Sequence, residues 1–295
     1  MFDIVGFYQA KSAADAVRAM HEDQTAAIIC GGTDLLIKLR ARKVTGCKLV
    51  SILRLNELRE IKLCADGQIR IGAAACFRDI SENEIIRAHI PALAEACELV
   101  GGPEIRNMAS IGGNVCNGAV SADSAAMLKV LDAELVVEGI SGERLVSIHD
   151  FYIGPGKTVL RHDDVLTAIV IKSESYSGLG ARYLKFGKRN AMEIATLGCA
   201  VGVKLDSEKL CVAQMRIAFT VAAPTPVRCN VLENKATGMR VDDALIAMIG
   251  KEAPRELSPR DSWRASKEFR LHIAAELAMR AAVEAIKRAG GNVNA

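Results

Sequence analysis

Apolar residues along the chain gather in short runs, and the spacing within these runs changes between that of a strand and that of a helix. Ser12 and Asp15 are placed like a capping box and predict a first helix through Met20. Ala26–Cys30 is a short apolar run typical of a buried strand, Leu35–Arg40 has the pattern of a helix, and Lys48–Ile52 is again a strand. This order predicts a small β-α-β unit at the start of the chain.

Beyond residue 55 the pattern changes from crossover connections to hairpins, and we place a subdomain boundary there. Leu58–Leu63 and Gln68–Ala73 flank Ala65-Asp66-Gly67, which is a strong hairpin signal. Glu134–Glu138 and Arg144–Ile148 predict a second hairpin. The remaining predicted elements here are helices at Arg78–Arg87, Ala92–Val100 and Ser124–Leu131 and a strand at Val165–Ile171.

Ser173–Gly180 is polar and rich in serine and glycine, so it is predicted to be a linker. The chain after it has no glycine-rich anion loop, and we interpret it as scaffold or interface. Its predicted strands are Arg182–Phe186, Leu197–Leu205 and Val212–Ala223, and its predicted helices are Arg228–Ala236, Asp242–Lys251 and Lys267–Ala289.

The bulk properties describe a globular protein. Its 295 residues, half of them hydrophobic, suffice for sizeable cores, and a formal charge of +3 does not favour nucleic acid as a partner. No apolar stretch is long enough to cross a bilayer and Met1-Phe2-Asp3 opens no signal peptide, so we expect no membrane association. Nine cysteines without a C-x-x-C motif favour no metal site and indicate a reducing compartment, for which we expect the cytoplasm.

Two glycine pairs carry the candidate chemistry. Gly31-Gly32 follows a strand and precedes a helix that Thr33 or Asp34 would cap, and Gly112-Gly113 precedes the helix at Ser124, with Ser121 or Asp123 as its cap. Such turns leave backbone N–H groups free for an anion, so the two pairs together predict a pyrophosphate site. Neither pair is the G-x-G-x-x-G fingerprint, and each taken alone fits an ordinary turn.

Other motifs have simpler explanations. Gly154–Thr158 resembles a P-loop, but Phe151 stands where that motif needs glycine, so a rigid turn is predicted. His149 and His162 have no neighbour at metal-ligand spacing. No nucleophile–base pair or carboxylate dyad stands out, and the pattern therefore favours chemistry supplied by a cofactor.

Ile29–Leu36, Ala109–Asn114 and Ser121–Ser124 together resemble the FAD-binding subunit of the molybdenum hydroxylases, in particular that of bacterial xanthine dehydrogenases. The likeness extends over essentially the whole chain. It implies an α+β protein with a two-subdomain FAD-binding fold of the vanillyl-alcohol-oxidase/PCMH type. This fold combines a small β-α-β unit with an antiparallel sheet and helices over residues 1–176, in subdomains of about 1–55 and 56–176. Residues 177–295 would form an α/β sandwich of the CO dehydrogenase flavoprotein type.

The resemblance also implies a function. FAD would collect single electrons from an iron–sulfur subunit and pass hydride to NAD, while a separate molybdenum subunit would hydroxylate the substrate, in the first place xanthine. Nicotinate, carbon monoxide or another aromatic heterocycle remains open as the substrate. A self-sufficient flavin oxidase and a non-catalytic nucleotide-binding scaffold are the alternatives to an electron-transfer subunit.

FAD is expected to bind non-covalently, because Cys30 and Cys116 lie on the side assigned to the phosphates. Valine at Gly31 or Gly112 would leave the fold intact and remove FAD. Val100 stands where some relatives stack an aromatic residue on the flavin, Leu166 would pack on FAD, Lys185 would touch a polar edge, and Asp123 would accept a hydrogen bond. The full set of predicted cofactor-binding residues is Ala27, Ile28, Ile29, Cys30, Gly31, Gly32, Thr33, Asp34, Leu35, Val100, Ser110, Ile111, Gly112, Gly113, Asn114, Asp123, Leu166 and Lys185. No residue is predicted to be catalytic or to bind a metal.

Overall fold

The computed structural model describes residues 2–293; the first residue and the last two of the predicted domains lie outside this range. The strands are β1 (Ile4–Gln9), β2 (Ala26–Ile29), β3 (Cys47–Ser51), β4 (Ile61–Leu63), β5 (Ile69–Gly72), β6 (Glu134–Gly139), β7 (Gly142–Ser147), β8 (Tyr152–Gly154), β9 (Lys157–Thr158), β10 (Val165–Ile171), β11 (Gly180–Phe186), β12 (Leu197–Leu205), β13 (Val212–Thr220) and β14 (Val227–Arg228). The helices are α1 (Ala13–Glu22), α2 (Leu35–Arg40), α3 (Phe77–Glu82), α4 (Glu84–His89), α5 (Pro91–Glu98), α6 (Pro103–Met108), α7 (Ile111–Cys116), α8 (Asp123–Val130), α9 (Ile148–Phe151), α10 (Ser173–Tyr176), α11 (Asn230–Ala236), α12 (Asp243–Glu252) and α13 (Lys267–Arg288). Single 3₁₀ turns lie at Asn56–Leu58 and Ala253–Glu256.

The first layer is a three-stranded parallel sheet in the order β1-β3-β2, which confirms the predicted β-α-β unit and adds a strand to it. Helix α1 begins where predicted, because the Ser12 hydroxyl accepts a hydrogen bond from the N–H of Asp15 at 3.1 Å. Strand β1 was not predicted. It is an edge strand with Val5 and Phe7 exposed, so it lacks the alternation that a half-buried strand shows.

The second layer is a five-stranded antiparallel sheet in the order β4-β5-β10-β6-β7. Both predicted hairpins are confirmed, and β10 joins them at the centre of the sheet. Every residue of β10 is buried, which explains why its sequence alternates weakly. The Gly154–Thr158 segment is the turn between β8 and β9, as predicted.

Of helices α3 to α8, α4 and α7 contact strands of this sheet, whereas α5 and α8 contact β11, β12 and β13. These helices depart from the sequence prediction in two places. The single helix predicted over Arg78–Arg87 is wrong, because Asn83 ends α3 and caps α4 by accepting hydrogen bonds from the N–H groups of Ile85 and Ile86. Helix α6 was not predicted; Pro103 occupies its first turn, where a missing N–H costs nothing.

The C-terminal part is a four-stranded antiparallel sheet in the order β11-β12-β13-β14, with α11, α12 and α13 packed against it. The three predicted strands and three predicted helices are confirmed; β14 is an addition. Buried alanines along α13 let this helix lie close to the sheet. At Gly180 a Cβ atom would lie 2.1 Å from the carbonyl oxygen of Ala285, so the close approach requires glycine.

The predicted linker Ser173–Gly180 is not a free connection. Its first half forms α10, and Tyr176 at the end of this helix is buried with its hydroxyl donating to the carbonyl oxygen of Gly67 at 2.6 Å. Tyr183, Ala200 and Ala218 from the C-terminal sheet belong to the same apolar core as the five-stranded sheet. The two parts of the chain therefore share a core, although the sequence suggested a flexible boundary.

Candidate functional site

The two glycine pairs, far apart in the sequence, line one cleft of about 590 Å³, a volume typical of cofactor pockets. The predicted residues that line it are Ile28, Ile29, Cys30, Gly31, Gly32, Thr33, Asp34, Leu35, Val100, Ser110, Gly112, Gly113, Asn114, Asp123 and Leu166. Three predicted residues lie behind its wall. Ala27 lies in β2 one residue before Ile28, where the lining of the cleft begins. Ile111 is buried in the apolar core, and Lys185 is linked to the cleft by its hydrogen bond to Asp123.

The first glycine element lies between β2 and α2 as predicted. Gly32 has a φ of +71°, a backbone conformation that residues with a side chain rarely adopt. Asp34 occupies the N-cap position of α2 as predicted, but its side chain makes no capping hydrogen bond. Within residues 2–293 no protein acceptor is found for the backbone N–H groups of Gly32, Thr33 and Asp34. These donors are available to an anionic ligand.

The second glycine element is built differently from the prediction. Instead of a loop leading to a distant helix, Gly112 and Gly113 lie inside α7, which Ser110 caps by accepting a hydrogen bond from the N–H of Gly113 at 3.1 Å. The N–H of Gly112 donates to the carbonyl oxygen of Ala73, and that of Asn114 to the carbonyl oxygen of Ser110. The N–H groups of residues 111–114 are therefore all used within the protein, contrary to the prediction, whereas for those of Ser110, Asp123 and Ser124 no acceptor is present within residues 2–293.

Both glycine pairs contain a residue that must be glycine for the chain to pack, which the sequence did not reveal. A Cβ atom at Gly31 would lie 1.7 Å from the carbonyl oxygen of Met108, and one at Gly112 would lie 2.6 Å from the Cβ and carbonyl oxygen of Ala73. The expectation that valine at these positions would spare the fold is therefore wrong. Chain packing requires these glycines whether or not a ligand is bound.

Asp123 is the buried charge of the cleft. The prediction that Ser121 or Asp123 caps the following helix is wrong, because Ala122 occupies the N-cap position and Asp123 is the first residue of α8. Its carboxylate instead accepts a hydrogen bond from the Tyr183 hydroxyl at 2.8 Å and one from the Lys185 ammonium at 2.8 Å. Lys185 also donates to the carbonyl oxygen of Leu99 at 2.8 Å. Two strand residues of the C-terminal sheet thus fix a side chain of the cleft wall.

Burial raises the pKa of the Asp123 carboxyl above its usual value, while the charge of Lys185 and its hydrogen bond act in the opposite direction. Only 5% of Asp123 is exposed, so its two protein partners supply most of the polar contacts that water would provide elsewhere.

The two cysteines of the cleft are poor nucleophiles. Burial raises the pKa of the Cys116 thiol to about 12, and burial likewise raises the pKa of the Cys30 thiol. Since the thiolate is the reactive form, neither residue is activated for covalent attachment of a ligand.

Several residues of the cleft were not predicted from the sequence. Lys38 and Asn117 connect the two glycine elements, and Arg161 contributes a second cation. The loop after β11 brings Met192, Glu193 and Ile194 to the cleft from the C-terminal sheet. Lys38 follows Asp34 by one helical turn and could have been found from that spacing, whereas nothing local in the sequence indicates where the loop after β11 lies.

The described residues, 2–293, contain no group of three or more histidine, cysteine or acidic side chains that could hold a metal ion. In the same part of the chain no helix is both long and apolar enough to span a bilayer.

Comparison with known proteins gives consistent matches along the chain. Residues 2–171 match the family described as the FAD binding domain in molybdopterin dehydrogenase, and residues 182–285 match the CO dehydrogenase flavoprotein C-terminal domain. The xanthine dehydrogenase FAD-binding subunit of Escherichia coli O157:H7 is 40% identical over 99% of this chain and 100% of the relative. The nicotinate dehydrogenase FAD-subunit of Eubacterium barkeri is 34% identical over 71% and 72% of the two chains.

Among solved structures, a chain of carbon monoxide dehydrogenase from Hydrogenophaga pseudoflava, in a form that lacks the Mo-pyranopterin moiety of the molybdenum cofactor, superposes with a TM-score of 0.92. The two chains are 28% identical, and the match covers 98% of this chain and 99% of the other. The fold class predicted from the sequence is confirmed.

Proposed function

The chain belongs to the family of FAD-binding subunits of molybdenum hydroxylases, and from this membership we propose that it takes electrons from an iron–sulfur partner and delivers them as hydride to NAD. It is an oxidoreductase subunit. FAD, when bound, supplies the exchange between one-electron and two-electron transfer. The observation that carries the proposal is that two glycine elements, distant in sequence, form one cleft with a buried, fixed carboxylate in its wall.

The cleft fits FAD in its chemistry. The free N–H groups of Gly32, Thr33 and Asp34 suit the phosphate part of the cofactor, since backbone donors without a partner favour an anion. Leu166 and Val100 supply apolar surface, and the Asp123 carboxylate retains acceptor capacity beside its two protein donors. We assign these residues to FAD and propose that Lys185 acts on it indirectly, by holding Asp123.

The partners and substrate follow from the relatives. The name of the Escherichia coli relative describes the FAD-binding subunit of a larger enzyme, so we propose an iron–sulfur subunit and a molybdenum-binding subunit as partners of this chain. The higher identity to that relative favours xanthine over nicotinate as the substrate of the assembly. We further propose two domains, 1–176 and 177–295, and a cytoplasmic location.

Non-covalent binding of FAD can be tested by acid precipitation of the purified protein. We expect the yellow flavin to appear in the supernatant, because neither cleft cysteine is activated for attachment. Colour that remains in the protein pellet would contradict this expectation. A protein that carries no flavin absorption at all, even after incubation with FAD, would favour the scaffold alternative.

The division of labour between subunits can be tested by assaying the chain alone and with its partners. The chain alone should reduce an artificial dye with NADH, and xanthine-dependent reduction of NAD should require the iron–sulfur and molybdenum subunits. Xanthine oxidation by this chain alone would support the self-sufficient oxidase. Dye reduction that works with other electron donors but not with NADH would remove NAD from the proposal.

A further inference from the structure

Lys38 stands out among the charged residues of the cleft because of its position between the two glycine elements. It lies on α2, directly after Gly31-Gly32, and its ammonium donates to the side-chain oxygen of Asn117 at 2.6 Å. Asn117 is the C-cap of α7, the helix that contains Gly112-Gly113. Both side chains line the cleft. The Lys38–Asn117 contact therefore joins the helix that follows the first glycine pair to the helix that contains the second, in the wall of the cleft.

The charge of Lys38 is not balanced by a described carboxylate. Of the four acidic residues of the cleft, three have a cation of their own: Asp123 is paired with Lys185, Asp164 with Arg144, and Glu193 with Arg189. The fourth, Asp34, lies one turn before Lys38 on the same helix and forms no ion pair within residues 2–293. Lys38 forms no ion pair within 4.0 Å to any acidic side chain in residues 2–293, and its bonded partner Asn117 is neutral.

We infer that Lys38 binds the pyrophosphate of FAD and that Asn117 positions its ammonium for this contact. The inference rests on the proposed function. It adds a lysine side chain to the backbone N–H groups that the sequence predicted for the phosphate site. The N–H groups of Gly112, Gly113 and Asn114 are used within the protein, so the second glycine pair itself offers the ligand no free donor. The first element offers uncharged N–H groups. Lys38 adds a positive charge, which binds the negatively charged phosphates more strongly than an uncharged donor does.

Asn117 is suited to hold this lysine in place. Its backbone N–H donates to the carbonyl oxygen of Gly113 at 2.9 Å, which fixes the residue at the end of α7. Its side-chain oxygen orients the ammonium without neutralising it, as a carboxylate at the same place would. The remaining N–H groups of the ammonium stay available to the ligand.

The test measures the affinity of the full chain for FAD after removal of its own flavin, by quenching of FAD fluorescence at several KCl concentrations. Lys38→Gln is expected to raise the Kd about tenfold, equivalent to about 1.4 kcal/mol. The dependence of Kd on KCl should also become weaker, because one contact between opposite charges is lost. Lys38→Arg should stay close to the wild type, and Asn117→Ala should raise the Kd less than Lys38→Gln does.

Arg40→Gln is the matched control, since Arg40 lies on the same helix, is exposed and does not line the cleft. It removes one positive charge and should leave the Kd unchanged. The inference fails if Lys38→Gln keeps the wild-type Kd and salt dependence, if Arg40→Gln weakens binding equally, or if Lys38→Arg does not preserve affinity. A wild-type chain that binds no FAD would instead overturn the proposed function, and this inference with it.

Discussion

Replacing Gly31 with alanine is expected to lower the free energy of unfolding by about 3 kcal/mol, even when no FAD is present. The added Cβ atom would lie 1.7 Å from the carbonyl oxygen of Met108, and the obstacle is backbone, which cannot rotate away as a flexible side chain can. The strand-to-helix connection would have to separate from the end of α6. Urea unfolding of the flavin-free chain, followed by circular dichroism, measures the loss.

Gly6→Ala is the control, because Gly6 lies in the same parallel sheet and a Cβ atom there would meet Lys48 at an ordinary 3.4 Å. Its effect should stay within about 0.5 kcal/mol. If Gly31→Ala instead unfolds like the wild type but no longer binds FAD, the glycine is needed for the cofactor's approach. That result would restore the interpretation drawn from the sequence alone.

Replacing Asp123 with alanine is expected to cost about 3–5 kcal/mol of stability, since it leaves a buried ammonium and a buried hydroxyl without their acceptor. Lys185 and Asp123 expose only 8% and 7% of their side chains, so water cannot readily take the place of the lost carboxylate. The Tyr183 hydroxyl loses its bonded partner in the same step. Flavin occupancy should fall together with stability, because Asp123 lines the cleft.

The double variant Asp123→Ala/Lys185→Ala distinguishes the loss of the hydrogen bonds to Asp123 from the cost of leaving the Lys185 ammonium buried without a partner. It should be more stable than Asp123→Ala alone, because removing the unpaired ammonium offsets part of the cost. Asp123→Asn should lie between the wild type and Asp123→Ala, since an amide oxygen can still accept one of the two hydrogen bonds. Equal stability of the single and double variants would show that Lys185 is not stranded, and would contradict the expected electrostatic cause.

The local chemistry of the chain sufficed to predict most strands and helices and the meeting of the two glycine elements. Its failures have a common physical cause, namely partners that are distant in sequence. The local sequence predicts that Asp123 caps a helix, but in the fold its carboxylate accepts hydrogen bonds from Tyr183 and Lys185 of the C-terminal sheet. Gly112 looks like an anion turn until Ala73 accepts its N–H.

Other differences concern competition between local signals. Asn83 can continue a helix or cap the next one, and only the packed position of α4 decides between the two. The serine-rich segment before β11 has the polar composition of a linker, yet the Tyr176 hydroxyl anchors it, and Lys204 and Arg216 donate hydrogen bonds to its backbone carbonyl oxygens. The roles of the individual cleft residues toward FAD stay predictions.

The apolar core shared by the five-stranded sheet and Tyr183, Ala200 and Ala218 bears on how such proteins can evolve. A gene segment that encodes only the glycine-bearing part would yield a cleft without the residues that fix Asp123, and with an apolar face uncovered. Recombination between distant relatives at the junction near residue 177 would join two halves of the apolar core that had not evolved to pack against each other. Substitutions on the two sides of this junction should therefore be inherited as matched sets, and exchanging one part between species should require exchanging the other.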